Sequence, residues 1–240
     1  MKKNLVIILV CLTTIISAQN PTTMQEIQAA SNALGSAGIS SDMKAYNRVY
    51  LNSTTNQLEI AYDDIEGSPF LQKSFSKTKI DGITEAQSMR YNIYADQLEI
   101  EKNGEIMVFP KYSSYTRFVF PSSNEIIQFF DTKDENTGYF LELANAKTKI
   151  YKKLKIQFSQ GSSAISGYQE AKEPQFSKGD PIYYIKTADD TIIKNPKSNK
   201  DILSIYSTES QRLNDYFKKN RIKYTNDNDL KKLALFLDTL

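Results

Sequence analysis

The feature that most constrains the fold is the dipeptide Asn103-Gly104, which lies between two strand-like runs within Met89–Pro110. Both central residues of a type I′ turn have positive φ, which Asn and Gly adopt at little cost, so the dipeptide predicts a two-residue β-hairpin. A turn of that length fixes the register, and with it an apolar face that ends in an ion pair at the tip. The predicted pairs on that face are Lys102 with Glu105, Ile100 with Met107, and Leu98 with Phe109.

The chain around this hairpin alternates strand-like runs with turn signals from residue 46 to residue 195. After Pro196 the apolar period lengthens to about 3.6 residues. Ser198 stands where one N-cap is expected, and either Asn226 or Asp227 caps the final helix. We predict an α+β fold: a curved antiparallel β-meander sheet with a short C-terminal helical tail. The predicted segments are a signal peptide (1–18), an N-terminal arm or short helix (19–45), the antiparallel sheet domain (46–195) and the tail packed on the sheet (196–240).

Three local features refine this prediction. Asn145-Ala146 predicts a hairpin, in which Leu141 faces Ile150 if the loop has two residues; a looser turn is the alternative, because Ala replaces the preferred Gly. The alternation of 147–158 predicts one long second strand. Residues 160–181, rich in Ser, Gly, Gln and Glu, predict a long surface loop. Thr208 and Gln211 have the spacing of a capping box before a helix.

The N-terminus has the pattern of an export signal. Lys2 and Lys3 precede a short apolar run over residues 5–16, which is well below the roughly 20 residues that span a bilayer. We expect cleavage near Ala18, with an uncleaved anchor as the alternative. Cys11 does not predict a lipoprotein, because the residue before it is not small, and no transmembrane segment is expected after the signal is removed. The expected location is therefore periplasmic or secreted.

Charge and composition exclude several functions. The chain has 30 basic and 28 acidic residues, and removal of Lys2 and Lys3 leaves 28 of each, so the mature chain is formally neutral. A dedicated nucleic-acid-binding protein needs net positive potential, and we expect no nucleic-acid partner. The chain has no His, and its only Cys lies in the predicted signal, which excludes His-based triads, Cys nucleophiles, disulfides and His or Cys zinc sites. No cofactor is expected.

Acidic side chains offer little for catalysis or metal binding. Asp63-Asp64 and Asp189-Asp190 are adjacent pairs, whose side chains diverge on a strand, and both pairs stand beside turn signals. Asp131–Gly138 contains several oxygen ligands, but Lys133 occupies the third position that an EF-hand calcium loop needs. We interpret these acids as turn residues and predict no catalytic residue and no metal site.

The most coherent chemical surface in the sequence is a stripe of alternating residues. Lys149, Tyr151, Lys153 and Lys155 fall on one face of a predicted strand, where ammonium groups and an aromatic ring could bind an anionic glycan, a lipid head group or an acidic envelope protein. The alternative interpretation is the solvated outer face of a half-buried sheet.

Several short motifs together resemble a known group of proteins. They are Gly67-Ser68-Pro69-Phe70-Leu71 with Phe75, Arg90-Tyr91-Asn92-Ile93-Tyr94 with Asp96 and Glu99, the lysine-rich run 147–158, Gly179-Asp180-Pro181 before Tyr183-Tyr184, and the helical tail. The chain resembles exported cell-envelope proteins of Bacteroidota, of flavobacterial type, whose function is unknown. The resemblance implies a sheet followed by a short helical tail, and it implies no catalytic residue.

The sequence thus predicts an exported, non-enzymatic cell-envelope protein that binds a partner or ligand. A hydrolase that works through carboxylates is one alternative, and a purely structural envelope component is the other.

Overall fold

A computed structural model describes residues 43–52, 57–162 and 171–240 of the 240-residue chain. The predicted signal peptide and the predicted arm up to residue 42 lie outside the described residues. Strands occupy most of the described chain up to Lys194, and α-helices follow. The predicted α+β class, with an antiparallel sheet before a helical tail, is confirmed.

Ten strands, numbered here by their order in the chain, form one antiparallel sheet. From edge to edge they are β14 (Ile192–Lys194), β13 (Ile182–Lys186), β10 (Lys149–Lys153), β9 (Gly138–Asn145), β8 (Glu125–Phe130), β7 (Arg117–Phe120), β3 (Ser76–Ile80), β4 (Gln87–Asn92), β5 (Gln97–Lys102) and β6 (Glu105–Val108). Most neighbours are consecutive in the chain, as in a meander. The exceptions are β3 beside β7 and β10 beside β13, which place the two halves of the chain in one sheet.

The β5–β6 hairpin has the predicted register. Lys102 pairs with Glu105 and Ile100 with Met107, while the amide of Phe109 donates to the carbonyl of Leu98 at 2.7 Å. Asn103 and Gly104 have φ of 54° and 78°, as a type I′ turn requires. Residues 43–45 run antiparallel to β6 and cover part of its outer edge, where the amide of Val108 donates to the carbonyl of Met43.

Three α-helices form the tail: α1 (Asn199–Leu203), α2 (Ser210–Lys219) and α3 (Asp227–Leu237). Ser198 and Asp201 form the predicted capping box of α1, and the Asn226 side chain caps α3. The capping box predicted at Thr208 is wrong, because a 3-10 turn occupies 207–209 and the N-cap residue of α2 makes no side-chain cap.

The helices pack on one end of the sheet and share its core. Their buried side chains, such as Leu213, Leu230 and Leu233, form a single cluster with Ile150 and Ile185 from β10 and β13. Isolated helices of this length are marginal in water, so the docking of their apolar faces on the sheet supplies most of their stability.

Two small sheets lie beside the main one. They are the hairpin of β1 (Arg48–Asn52) with β2 (Gln57–Ala61) and the antiparallel pair of β11 (Ile156–Ser159) with β12 (Gln175–Lys178). Their apolar residues meet in a cluster that includes Val49, Tyr62, Phe70 and Phe176.

Two predictions for this region are wrong. The run 147–158 is divided, because β10 ends at Lys153 and β11 pairs instead with β12, which lies inside the predicted surface loop 160–181. The two-residue loop on which the pairing of Leu141 with Ile150 depends does not form, and Leu141 faces Lys152 instead. The physical reason is a longer loop after Asn145 and a bulge that shifts the register between Ile150 and Tyr151.

Candidate ligand-binding cavity

A cavity of about 630 Å³ opens where the β11–β12 sheet meets the segment 67–73 and the main sheet. Its volume is in the usual range for small-molecule sites, roughly 300–1,000 Å³. Eight apolar residues form most of the wall: Phe70, Leu71, Ile93, Leu141, Leu154, Ile156, Phe176 and Pro181. The remaining lining residues are Gly67, Ser68, Gly179 and four lysines, Lys73, Lys152, Lys155 and Lys178.

The β11–β12 pair supplies one wall and part of the border. Ile156 pairs with Lys178 and Phe158 with Phe176, and residues opposite each other in an antiparallel pair share a face. Phe176 is buried and Lys178 is exposed, so this face is apolar inside and ends in an ammonium group at the surface.

The segment 67–71 supplies the second wall, and Gly67 allows it to approach β12. The amide of Phe176 donates to the carbonyl of Glu66 at 2.8 Å, and a Cβ on Gly67 would lie 2.2 Å from the carbonyl oxygen of Phe176. Gly67 also has φ of +86°, which favours glycine. Further along, the amide of Ile93 donates to the carbonyl of Pro69 at 2.8 Å, which ties the segment to the turn after β4.

A buried ion pair holds the second wall in place. Arg90 and Glu99 are cross-strand partners on β4 and β5, with Nε and Oε2 2.7 Å apart, and the Glu99 side chain is 0% exposed. The Arg90 guanidinium lies 3.7 Å from the centroid of the Phe70 ring, which lines the cavity. Phe75 lies 4.4 Å from the same guanidinium, so cation–π contacts with two rings tie the wall to Arg90 on β4 of the main sheet.

The lysines at the border differ in their partners. Lys152 pairs with Asp227 at 2.9 Å, and Lys73 lies 3.6 Å from Asp63. Within the described residues, neither Lys155 nor Lys178 forms an ion pair. None of the described lining residues is acidic, so at Lys155 and Lys178 the border carries positive charge that no ion pair of the described residues compensates.

The predicted stripe does not form an exposed surface. Tyr151 is buried and stacks on Phe130, with ring centroids 4.5 Å apart, and burial raises its pKa to about 12. Lys153 is 8% exposed, Lys149 is half-buried, and only Lys155 is exposed, beyond the end of β10. The prediction of an exposed stripe is therefore wrong, since Tyr151 packs in a buried cluster with aromatic residues of the neighbouring strands β8, β9 and β13.

Lys153 is buried because it has a carboxylate partner. Its ammonium lies 2.8 Å from Oδ1 of Asp96 and donates to the carbonyl of Tyr139 at 3.0 Å. Burial alone would raise the pKa of Asp96, but the ammonium groups of Lys153 and Lys111 outweigh that effect and hold it below its usual value. Burial lowers the pKa of Lys153, against the opposing effect of Asp96. A Cβ on Gly138 would lie 2.0 Å from Asp96, so glycine makes room for this cluster.

The acidic residues singled out in the sequence act locally. Asp63 and Asp64 lie exposed in a 3-10 turn, and the Asp189 carboxylate accepts from the Thr187 hydroxyl beside the β13–β14 turn. Within 131–138, Asp134 accepts from the Thr132 hydroxyl at 2.6 Å and pairs with Lys194. The described residues contain no group of three or more His, Cys, Asp or Glu residues placed to hold a metal ion.

Comparisons of the chain with protein-family models, with curated proteins and with solved structures returned no match. The resemblance to Bacteroidota envelope proteins therefore stays a prediction. The structure nevertheless brings its motifs together, because Gly67-Ser68-Pro69-Phe70-Leu71 lies against the turn after β4 and Gly179-Asp180-Pro181 follows β12 at the border of the cavity.

Sequence reasoning found one of the four cavity lysines, Lys155, and missed Lys73, Lys152 and Lys178. The signal that could have found Lys178 is the alternation of Phe176 and Lys178 just before a Gly-Asp-Pro turn, which is typical of a short strand with one apolar face.

Proposed function

We propose that this chain is an exported, non-enzymatic cell-envelope protein that binds a ligand in the cavity between the β11–β12 sheet and the main sheet. The observation that carries the proposal is the cavity itself, with walls from three distant parts of the chain. Ligand sites are usually concave and mostly apolar, with a few polar groups that orient the ligand.

The lining favours binding over the two alternatives. Carboxylate-dependent hydrolysis places two acids around the substrate, and none of the described lining residues is acidic. A purely structural component has no need of a mostly apolar, concave site of this volume.

The envelope location is supported by Lys2, Lys3 and the apolar run 5–16. Among the described residues, no helix has the length and apolarity to cross a membrane. Intact-mass measurement of the protein exported from a Gram-negative host tests the location: we expect a chain that begins at Gln19. A chain that keeps Lys2 would contradict this part of the proposal.

Binding can be tested with N-phenyl-1-naphthylamine, a neutral apolar dye that fluoresces when it leaves water. We expect one saturable site on the full-length mature protein. Leu154→Trp would place extra volume in the cavity, so dye affinity should fall about ten-fold or more, given the roughly 1–3 kcal/mol that overpacking costs.

Leu235→Trp is the matched control, since Leu235 is 69% exposed on α3 and does not line the cavity. It should leave dye affinity unchanged, and both variants should unfold cooperatively. Dye binding that does not saturate, or that is the same in L154W and the wild type, would refute the cavity as the binding site.

A further inference from the structure

We infer that the ligand of this cavity is a single-chain amphiphile with an anionic head group. The inference rests on the proposed binding function and names its ligand class. It follows from three properties of the cavity: apolar walls, uncompensated positive charge at one border, and limited volume.

The walls suit a flexible hydrocarbon chain. Phe70, Leu141 and Phe176 come from three separate parts of the fold and supply aromatic and aliphatic surface with few hydrogen-bonding side chains. An alkyl chain gains from such surface through the hydrophobic effect, at about a four-fold gain in affinity for each buried methylene group. A sugar or nucleotide would instead leave most of its hydroxyl groups without partners here.

The charge at the border suits an anion. Lys155 and Lys178 lie at the same end of the β11–β12 pair, because the amide of Gly179 donates to the carbonyl of Lys155 at 3.0 Å. Both lysines line the cavity, and neither forms an ion pair within the described residues, although Asp180 follows closely in sequence. A lysine ammonium is a compact point charge that binds carboxylate, phosphate or sulfate oxygens.

The volume suits a ligand with one hydrocarbon chain. If each heavy atom needs roughly the 30 Å³ that a water molecule occupies in the liquid, about 630 Å³ accommodates on the order of 20 heavy atoms. A head group with a chain of about 12 carbons fits this limit. A two-chain lipid would leave part of its hydrocarbon outside the cavity.

Displacement of N-phenyl-1-naphthylamine by four amphiphiles with the same 12-carbon chain tests the ligand class. The competitors are dodecanoate, dodecyl phosphate, dodecanol and dodecyltrimethylammonium, each below its aggregation concentration. We expect both anions to displace the dye at concentrations about ten-fold lower than dodecanol, and the cation to be the weakest. The stronger of the two anions identifies the head group as a carboxylate or a phosphate.

Competitors of different chain length and charge variants of the protein distinguish the contribution of the hydrocarbon chain to affinity from that of the head group. Decanoate should bind about 15-fold more weakly than dodecanoate, since two methylene groups are lost. The double variant K155Q/K178Q should weaken dodecanoate about three- to 20-fold and leave dodecanol unchanged, because exposed ion pairs are individually weak. K232Q alters an exposed lysine on α3 outside the lining, and it should change neither the affinity for dodecanoate nor the affinity for dodecanol.

The outcomes distinguish this inference from the proposed function. Equal displacement by dodecanol and dodecanoate, or K155Q/K178Q binding like the wild type, would overturn the anionic ligand class while leaving the cavity as a binding site. Dye that no amphiphile displaces would overturn the amphiphile class as a whole. Failure of the dye itself to bind would refute the proposed function first.

Discussion

Substitution of Gly67 by alanine should destabilise the protein and damage the cavity together. Gly67 combines positive φ with a close approach to β12, where an added Cβ would lie 2.2 Å from the carbonyl oxygen of Phe176. That oxygen belongs to the backbone, so the clash cannot be relieved by rotation of a side chain. The segment 67–71 must move away from β12, and the cavity wall moves with it.

The size of the effect can be worked out from these contacts. An L-residue in the left-handed region costs about 1–2 kcal/mol. Separation from β12 also weakens two backbone hydrogen bonds: the amide of Glu66 donates to the carbonyl of Pro174 at 3.3 Å, and the amide of Phe176 donates to the carbonyl of Glu66 at 2.8 Å. Each of these bonds contributes about 0.5–1.5 kcal/mol to stability. Alanine also lowers the conformational entropy of the unfolded chain, which offsets about 0.4–1 kcal/mol of this loss in stability. These contributions sum to an expected net loss of about 1–5 kcal/mol of unfolding free energy.

Gly104→Ala is the matched control. Gly104 also has positive φ, at 78°, but an added Cβ there has no neighbour within 4 Å, so this variant carries the backbone strain without the clash. Urea denaturation of both variants should show that G67A loses about 1–3 kcal/mol more than G104A, and only G67A should lose dye binding. Equal losses in the two variants would refute the reasoning that the approach to β12 matters.

Three further predictions concern the buried ion pairs and the tail. Glu99→Ala should cost about 3–5 kcal/mol in urea denaturation, since it leaves a buried guanidinium unpaired, whereas Ala at the exposed neighbour Glu101 should cost under about 0.5 kcal/mol. Asp96 has a lowered pKa in the folded protein, so its contribution to the free energy of unfolding is present above its unfolded pKa of about 3.9 and is lost as pH falls through the folded value. The stability difference between wild type and D96N should therefore shrink on acidification below about pH 4. A difference that stays constant with pH would contradict this prediction. Deletion of 196–240 should expose the apolar end of the sheet and cause aggregation, detectable by light scattering, and a soluble, cooperatively folding truncation would show the tail to be independent.

Local interactions explain what could be predicted from the sequence. The Asn103-Gly104 turn, the register of β5 with β6, the capping box at Ser198 and the cap at Asn226 each depend on residues a few positions apart. Their geometry follows from backbone preference and short-range hydrogen bonds, whatever the rest of the chain does.

Long-range packing explains what could not be predicted. Alternation alone placed Lys153 on a solvated face, but Asp96, 57 positions earlier in the chain, compensates its charge and allows its burial. The shift in register between Ile150 and Tyr151 depends on how β9 fits between its neighbours, and no turn signal marks it.

The sequence by itself therefore determined the β5–β6 hairpin, the caps of α1 and α3 and the α+β class, because these depend on local backbone preferences and on the period of apolar residues. Only the tertiary structure decided where a ligand could bind. The cavity joins Phe70, Leu141 and Phe176 across more than 100 positions of sequence, and it exists because Gly67 lets one segment approach β12 closely enough to form a common wall. Contacts of that kind are set by the packing of whole sheets against each other, for which a single sequence carries no local signal.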